Sequence, residues 1–404
     1  MSTNFPSGLD SLTNPVADDH LNNPSHADQH SNVNDAIEAM QLELRNILVA
    51  NPLLFPATAE KNHHVEAASA DPLEIFYKAT GNSGLITEMQ IIIEGQPGNF
   101  GTMVLNIEYD GEETPSVSIP LNSLIAMEKS DYLIAPVFEN DMVLVNGSID
   151  ESQMSAVFRW PIPYTNGIRV YLTGLATGTW TNVTYQDNLP PCWNRNLRFF
   201  ATRSNETIAA PSAGAGTVTI TGTAVVGSGT NFTSADIGKY LITGNMHERL
   251  IVAVADTTHC TVAEADGNHN ATNSAYTIGL GHIFLNRPAG SAGVICQINY
   301  GIDADLAAAM EVNTRIFLDQ ETEPSLEWSG TEDLYEGSFY WSVPRQNWYG
   351  GIVCLSTVSG VQASAYKLFT RRPKIYADGV QAVQACMGGE TIFNLTTIYY
   401  EWQA

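Results

Sequence analysis

The sequence predicts an all-β body behind a polar N-terminal arm. Three observations carry this reading. From about Asp71 onward, short runs alternate apolar and polar residues, as in TEMQIIIEG, TMVLNIEYDG and GIRVYLTGL. That period of two places every second side chain on one face of a half-buried strand. Gly, Asn, Asp and Pro separate the runs at roughly the spacing of a β-sandwich. Before Asp71, only NVNDAIEAMQLELRNILVA has a helical period.

Residues 1–32 are dominated by Asn, Asp, Ser, His and Pro and lack a hydrophobic period. Such a segment cannot bury enough surface to order itself, so it is expected to be an extended arm that folds on a partner. His20, His26 and His30 read as polar arm residues, not metal ligands. In residues 33–50, Val33, Ile37, Met40, Leu44 and Ile47 are spaced four, three, four, three. This is an a/d seam two heptads long. So short a helix is marginal alone, and it becomes stable if copies meet on one axis, so these five residues are the candidate oligomerisation contacts. The alternative is one amphipathic helix packed on its own domain. Residues 51–70 read as a linker.

Strand patterns then follow from 71 to 204. SVSIPLNSLI, MVLVNGSI, SAVFRWPIPY and WTNVTYQ continue the series. Residues 205–282 change texture. GAGTVTITGTAVVGSGTNFTSADIGKYLITG is rich in Gly, Thr and Ser, and its short strands are separated by Gly and Asn turns. This segment reads as an inserted small β module, suited to decoration or glycan contact. Residues 283–404 return to the earlier pattern. No metal site is assigned, since His259 and Cys260 lack further ligands at zinc spacing, and no cofactor is implied.

The 404 residues carry 18 Lys plus Arg against 43 Asp plus Glu, a formal net charge of −25. Nucleic acid is therefore excluded as an expected partner, because its binding rests on phosphate neutralisation. An anionic membrane surface is disfavoured in the same way. No apolar run reaches the ~18 residues of a membrane span. The opening residues have no signal-peptide pattern. Five scattered cysteines without a Cys-x-x-Cys read as reduced, mostly buried thiols made in a reducing cytoplasm.

The stretch from Glu311 to Tyr349 looks most like a chemical site. Asn313–Asp319 reads as a strand, Gln320–Ser325 as a turn containing Pro324, and Leu326–Gly330 as a returning strand. Glu311 and Glu332 lie equally far from the turn centre. In a hairpin they would stand opposite each other, about 5 Å apart at Cβ. Two carboxyl groups about 5–5.5 Å apart are the arrangement of a retaining glycosidase. Tyr335, Phe339, Tyr340, Trp341, Trp348 and Tyr349 follow, rings that suit sugar faces. The alternative is an ordinary acid-rich hairpin with core aromatics.

RIFLDQETEPSLEWSGTEDLYEGSFYW resembles the signature of glycoside hydrolase family 172. YDGEETPSVSIPLNSLI, RWPIPY and the closing NLTTIYYEWQ resemble further motifs of that family. The resemblance covers most of residues 71–204 and 283–404. It implies a tandem double jelly roll, the fold of double-jelly-roll capsid proteins, here with the inserted β module and the N-terminal arm and helix. It also implies a homotrimer of pseudo-hexagonal outline. Glu311 and Glu332 match the family's catalytic pair, with nucleophile and acid/base unassigned. Asp333, Tyr335, Trp341, Trp348 and Arg372 are the candidate substrate contacts, and Arg315 a supporting group. The sequence departs from the family at Met310, Asn313, Leu334, Phe369 and Arg372. At the last two, a ring and a cation replace a histidine and an acid.

The opening NFPSGLDSLTNPVADDHLNNPSHADQHSNVNDAIEAMQ resembles the N-terminal segment shared by many tailed-phage virion proteins. Two functions are therefore expected in parallel. One is a structural virion protein, a head fibre or tail appendage, anchored to other virion proteins through residues 1–50. It would be assembled in the host cytoplasm and would display a trimeric body at the virion surface toward a host glycan. The other is a retaining glycosidase acting on fructofuranoside-type or host surface polysaccharide.

Overall fold

The chain folds as two antiparallel β-sandwiches in tandem with a third β unit inserted into the second. The computed structural model describes residues 60–403 apart from 66–70, 95–98, 127–136, 141, 148–152, 176–177, 190–192, 194–196, 245–246, 264–269, 305–312, 323, 329, 336–349, 357–360, 371–372 and 386–390. The expected arm, the expected helix with Val33, Ile37, Met40, Leu44 and Ile47, and residues 51–59 lie outside the described residues.

Eight strands build the first sandwich: β1 (Lys61–Val65), β2 (Leu73–Lys78), β3 (Gly84–Glu94), β4 (Val104–Tyr109), β5 (Val117–Pro120), β6 (Gln153–Phe158), β7 (Ile168–Thr173) and β8 (Thr179–Asp187). They pair in the orders β1-β8-β3-β6 and β2-β7-β4-β5. Eight more build the second: β9 (Leu197–Ile208), β10 (Gly281–Arg287), β11 (Gly293–Ala304), β12 (Thr314–Leu318), β13 (Leu326–Trp328), β14 (Val361–Leu368), β15 (Val380–Ala385) and β16 (Thr391–Trp402). Their orders are β9-β16-β11-β14 and β10-β15-β12-β13. The second pair of orders is the first shifted by eight strands. Each is the strand order of a jelly roll, two Greek keys closed into two facing sheets.

The repeat extends to the accessories. Ile162–Tyr164 pairs with β3, and Lys374–Tyr376 pairs with β11. Val143–Gly147 flanks β6, and Gly350–Ser356 flanks β14. A short helix follows the fifth strand of each roll: α1 (Leu121–Leu124) and α2 (Thr331–Tyr335). The stretch SVSIPLNSLI is thus half strand and half helix. The change falls at Pro120, whose fixed backbone angle and missing N–H suit a helix start.

The first roll begins earlier than the sequence pattern shows. Lys61–Val65 lies in the segment read as linker, yet pairs residue by residue with Thr181–Tyr185. Its burial pattern is exposed throughout except for partly buried Val65, so no apolar alternation announces it. Backbone hydrogen bonds and the ion pairs that Lys61 and Lys78 make with Asp187 hold this edge.

The sheet containing β11 and β16 is buried on both faces. Residues 394–401 of β16 are buried without interruption, as are residues 295–301 of β11. One face, with Ile298, Tyr300, Leu395 and Tyr399, fills the second roll. The other, with Cys296, Ile398, Tyr400 and Leu368, joins the core of the first. Each large apolar side chain buried this way contributes about 1.5–3 kcal/mol. Directed hydrogen bonds fix the two rolls together. Tyr109 donates to the Phe199 carbonyl at 3.1 Å. Tyr400 donates to the Pro161 carbonyl at 2.7 Å. The Asn299 amide donates to the carbonyls of Ser123 and Leu124 at 2.8 and 3.0 Å, satisfying groups that the end of α1 leaves open.

The inserted unit lies between β9 and β10. Its strands run from Ser212 to Gly279 and form one eight-stranded sheet. Val218, Ile220, Phe232, Leu241, Ile251 and Tyr276 are among its own core. Its Tyr240 and Ile242 pack on Phe317, Val383 and Ala385 of the second roll.

Candidate functional site

The hairpin expected after Glu311 is present. β12 and β13 pair with Thr314 opposite Trp328, Arg315 opposite Glu327 and Ile316 opposite Leu326. A tight turn starts it. Asp319 and Gln320 both have positive φ, 52° and 61°, and the Glu321 N–H donates to the Leu318 carbonyl at 2.9 Å. These are the angles of a type I′ turn. The described ladder ends at Thr314 and Trp328. The chain leaves the sheet there, since Thr331–Tyr335 is helical. Glu332 and Asp333 therefore sit on α2. Glu311, Trp341, Trp348 and Arg372 lie outside the described residues.

Tyr335 anchors α2 with no face open to solvent. It is fully buried, its ring stacks on Tyr300 at 5.0 Å between centroids, and burial holds its hydroxyl pKa well above the usual tyrosine range. Leu334, where the resembled family has tyrosine, is also fully buried. Phe369 packs on Trp328 at 6.3 Å between centroids, with the Lys374 ammonium 5.4 Å from its own. This position offers an apolar wall and no acid or base.

A polar row that the sequence does not reveal crosses the interior near the start of β12. His282, Gln384 and Thr314 stand side by side on β10, β15 and β12, and all three are fully buried. A 2.8 Å hydrogen bond joins His282 Nδ1 to the Glu206 carboxylate, and the Gln384 amide donates to the Thr314 hydroxyl at 3.1 Å. The segment carrying Glu311 enters β12 at this row. Nothing local marks these residues, because they come from four strands far apart in sequence.

Arg315 points the other way. Its neighbour Ile316 lies in the core, so Arg315 faces the inserted unit. Its guanidinium lies 3.4 Å from the Glu248 carboxylate and 2.8 Å from that of Glu327, and it donates to the Glu248 carbonyl at 3.0 Å. It thus pins the inserted unit to the sandwich. Burial pushes the Glu248 carboxyl up to about 7, against the opposing pull of Arg315.

A cleft of about 250 Å³ opens beside this seam, lined by Leu250, Val252, Asn286, Phe317, Gln320 and Gln381 together with Arg287, Glu321, Thr322 and Val380. Among the described residues, no group of three His, Cys, Asp or Glu side chains is placed to hold a metal ion.

The fold is similar to solved structures at low identity. The STIV MCP crystal structure matches at 9% identity with a TM-score of 0.33, covering 85% of this chain and 93% of its own. The major capsid protein P2 from Bacteriophage PM2 matches at 8% with a TM-score of 0.35, covering 85% and 97%. No protein-family model and no curated protein matches the chain. The jelly-roll assignment therefore rests on the strand orders themselves.

Proposed function

We propose that the chain is a structural protein of a phage virion, a head fibre or tail appendage, that assembles as a homotrimer. It is anchored to other virion proteins through residues 1–50 and displays its body toward a host-surface glycan. The observation that carries this reading is the duplicated strand order. Two like sandwiches share one doubly buried sheet, so each chain is a rigid pair of similar lobes. Three such chains on a threefold axis present six similar lobes in a closed ring, a symmetric assembly with no free end. The polar arm supplies the tether, as in the tailed-phage proteins its sequence resembles.

The test is direct. Purified virions of the phage that encodes the chain should contain it at their surface, by mass spectrometry and antibody labelling. Deleting residues 1–50 should leave virions without it. Its absence from wild-type virions would overturn the reading.

A second reading is favoured by one observation: Glu332 follows the β12–β13 hairpin directly, and the segment with Glu311 precedes it. On this reading the two carboxylates are the nucleophile and acid/base of a retaining glycosidase, with Asp333, Trp341, Trp348 and Arg372 as substrate contacts.

A further inference from the structure

We infer that the cleft between the inserted unit and the second jelly roll is a binding site for one residue of a neutral saccharide. The inference rests on the glycan-displaying role proposed above and locates its binding site away from Glu311 and Glu332. The lining has three parts. One wall, Leu250 and Val252, comes from the inserted strand His247–Asp256. The floor is a single row across three strands, Asn286 opposite Gln381 and Gln381 opposite Phe317. The lip is the hairpin turn, with Gln320, Glu321 and Thr322.

The chemistry of that row matches a sugar. A carboxamide offers one acceptor and two donors on adjacent atoms, the complement of two neighbouring hydroxyls. Asn286 is exposed and Gln381 is half-buried. Among the described residues, neither amide has a hydrogen-bond partner. Phe317, Leu250 and Val252 supply the apolar surface that a sugar's C–H face requires. Charge excludes an anion. Arg287 is held by Glu401 through bonds of 2.6 and 2.8 Å, so its cation is already matched. Glu321 adds a negative charge at the lip, and the chain as a whole carries −25. The cleft is smaller than the ~300–1,000 Å³ of sites for drug-sized ligands, and so suits one sugar residue.

The lip is also strained and braced, which sets it apart from an ordinary surface turn. Positive φ at two successive non-glycine residues is costly and is found where surrounding contacts enforce it. Here the Asp319 carboxylate accepts the N–H groups of Ala377 and Asp378 at 2.6 and 2.8 Å, and the Gln320 amide donates to the Asp378 carbonyl at 2.9 Å. Gly379 lets this brace close. A Cβ there would lie 2.6 Å from the Gln320 amide and 2.8 Å from two backbone carbonyls. The edge of the cleft is therefore fixed before any ligand arrives, which lowers the ordering cost of binding.

The experiment uses the full-length protein and a panel of neutral methyl glycosides, read by saturation-transfer NMR and calorimetry. At least one glycoside should bind. Gln381→Ala and Asn286→Ala should each weaken it about tenfold, roughly the loss of one good hydrogen bond, with an unchanged melting temperature. Glu332→Gln should leave this binding intact. No binding by any neutral glycoside, or binding lost in Glu332→Gln but kept in Gln381→Ala, would overturn the inference. Incorporation into virions does not depend on either amide, so loss of glycoside binding leaves the virion reading standing.

Discussion

Glu248 and Arg315 meet across the seam between the inserted unit and the second roll, at 1% and 3% exposure. Their pairing is not visible in the sequence, which marks Arg315 only as a supporting group of the Glu311–Glu332 stretch, because the partners lie on different elements. Burial raises the Glu248 carboxyl from its ordinary value of 4.5 to about 7. The folded protein thus binds a proton there that the unfolded chain releases. Its contribution is fully present below about pH 4.5 and is lost as pH rises through about 7, a change on the order of 3 kcal/mol. Wild-type stability should therefore fall across this window in urea titrations, and Glu248→Gln should flatten the fall. Arg315→Ala should cost about 3–5 kcal/mol at pH 8, because it strands a buried carboxylate. Equal stability of Arg315→Ala and wild type would show that the seam does not depend on this pair. The row of His282, Gln384 and Thr314 was equally illegible. By contrast, the acids at 311 and 332 were conspicuous. The β ladder stops at Trp328, and α2 takes Glu332 off the strand.

Elements were legible where one face meets water and the other a core. β7 alternates in sequence and in burial, as does the second half of β3, and their patterns predicted them. Two kinds of strand escaped. β1 is an exposed polar edge, so it has no apolar signal. β11 and β16 are buried on both faces and carry buried polar residues such as Gln297, Asn299, Asn394 and Thr397, so polarity does not mark which of their faces is covered. Helix α1 was hidden in a strand-like sequence and is held by Asn299 from the other roll. Asn299→Ala should leave the Ser123 and Leu124 carbonyls without that donor and cost about 1–3 kcal/mol, measured by urea unfolding. The inserted unit leaves and rejoins the second roll at points that lie close together, as the bond between Glu206 on β9 and His282 on β10 shows. Replacing residues 210–280 with a short Gly-Ser linker should therefore leave both rolls folded by circular dichroism. The same variant should melt lower and self-associate, because Phe317, Val383 and Ala385 lose their cover. Loss of all β signal would mean that the unit is integral to the second roll.

At the scale of the whole molecule, the doubling of the strand order was not derivable from the residues. Local pattern gives strands, while pairing order depends on contacts between residues far apart. The resemblance in motifs was what implied two jelly rolls, and the orders β1-β8-β3-β6 and β9-β16-β11-β14 now stand on their own. The enzymatic reading is separable from the assembly. If the Glu pair is active, the protein should cleave fructans or host polysaccharide, and Glu332→Gln should lower the rate by at least about a thousandfold, as expected for loss of an essential group. A rate at background in the wild type would leave the body a binding scaffold alone. The central claim, a trimer of rigid double jelly rolls, is tested most directly by electron cryomicroscopy of the protein truncated before residue 51. A threefold particle with six sandwiches in a closed ring is expected. A monomeric body, or a dimer without threefold symmetry, would contradict it.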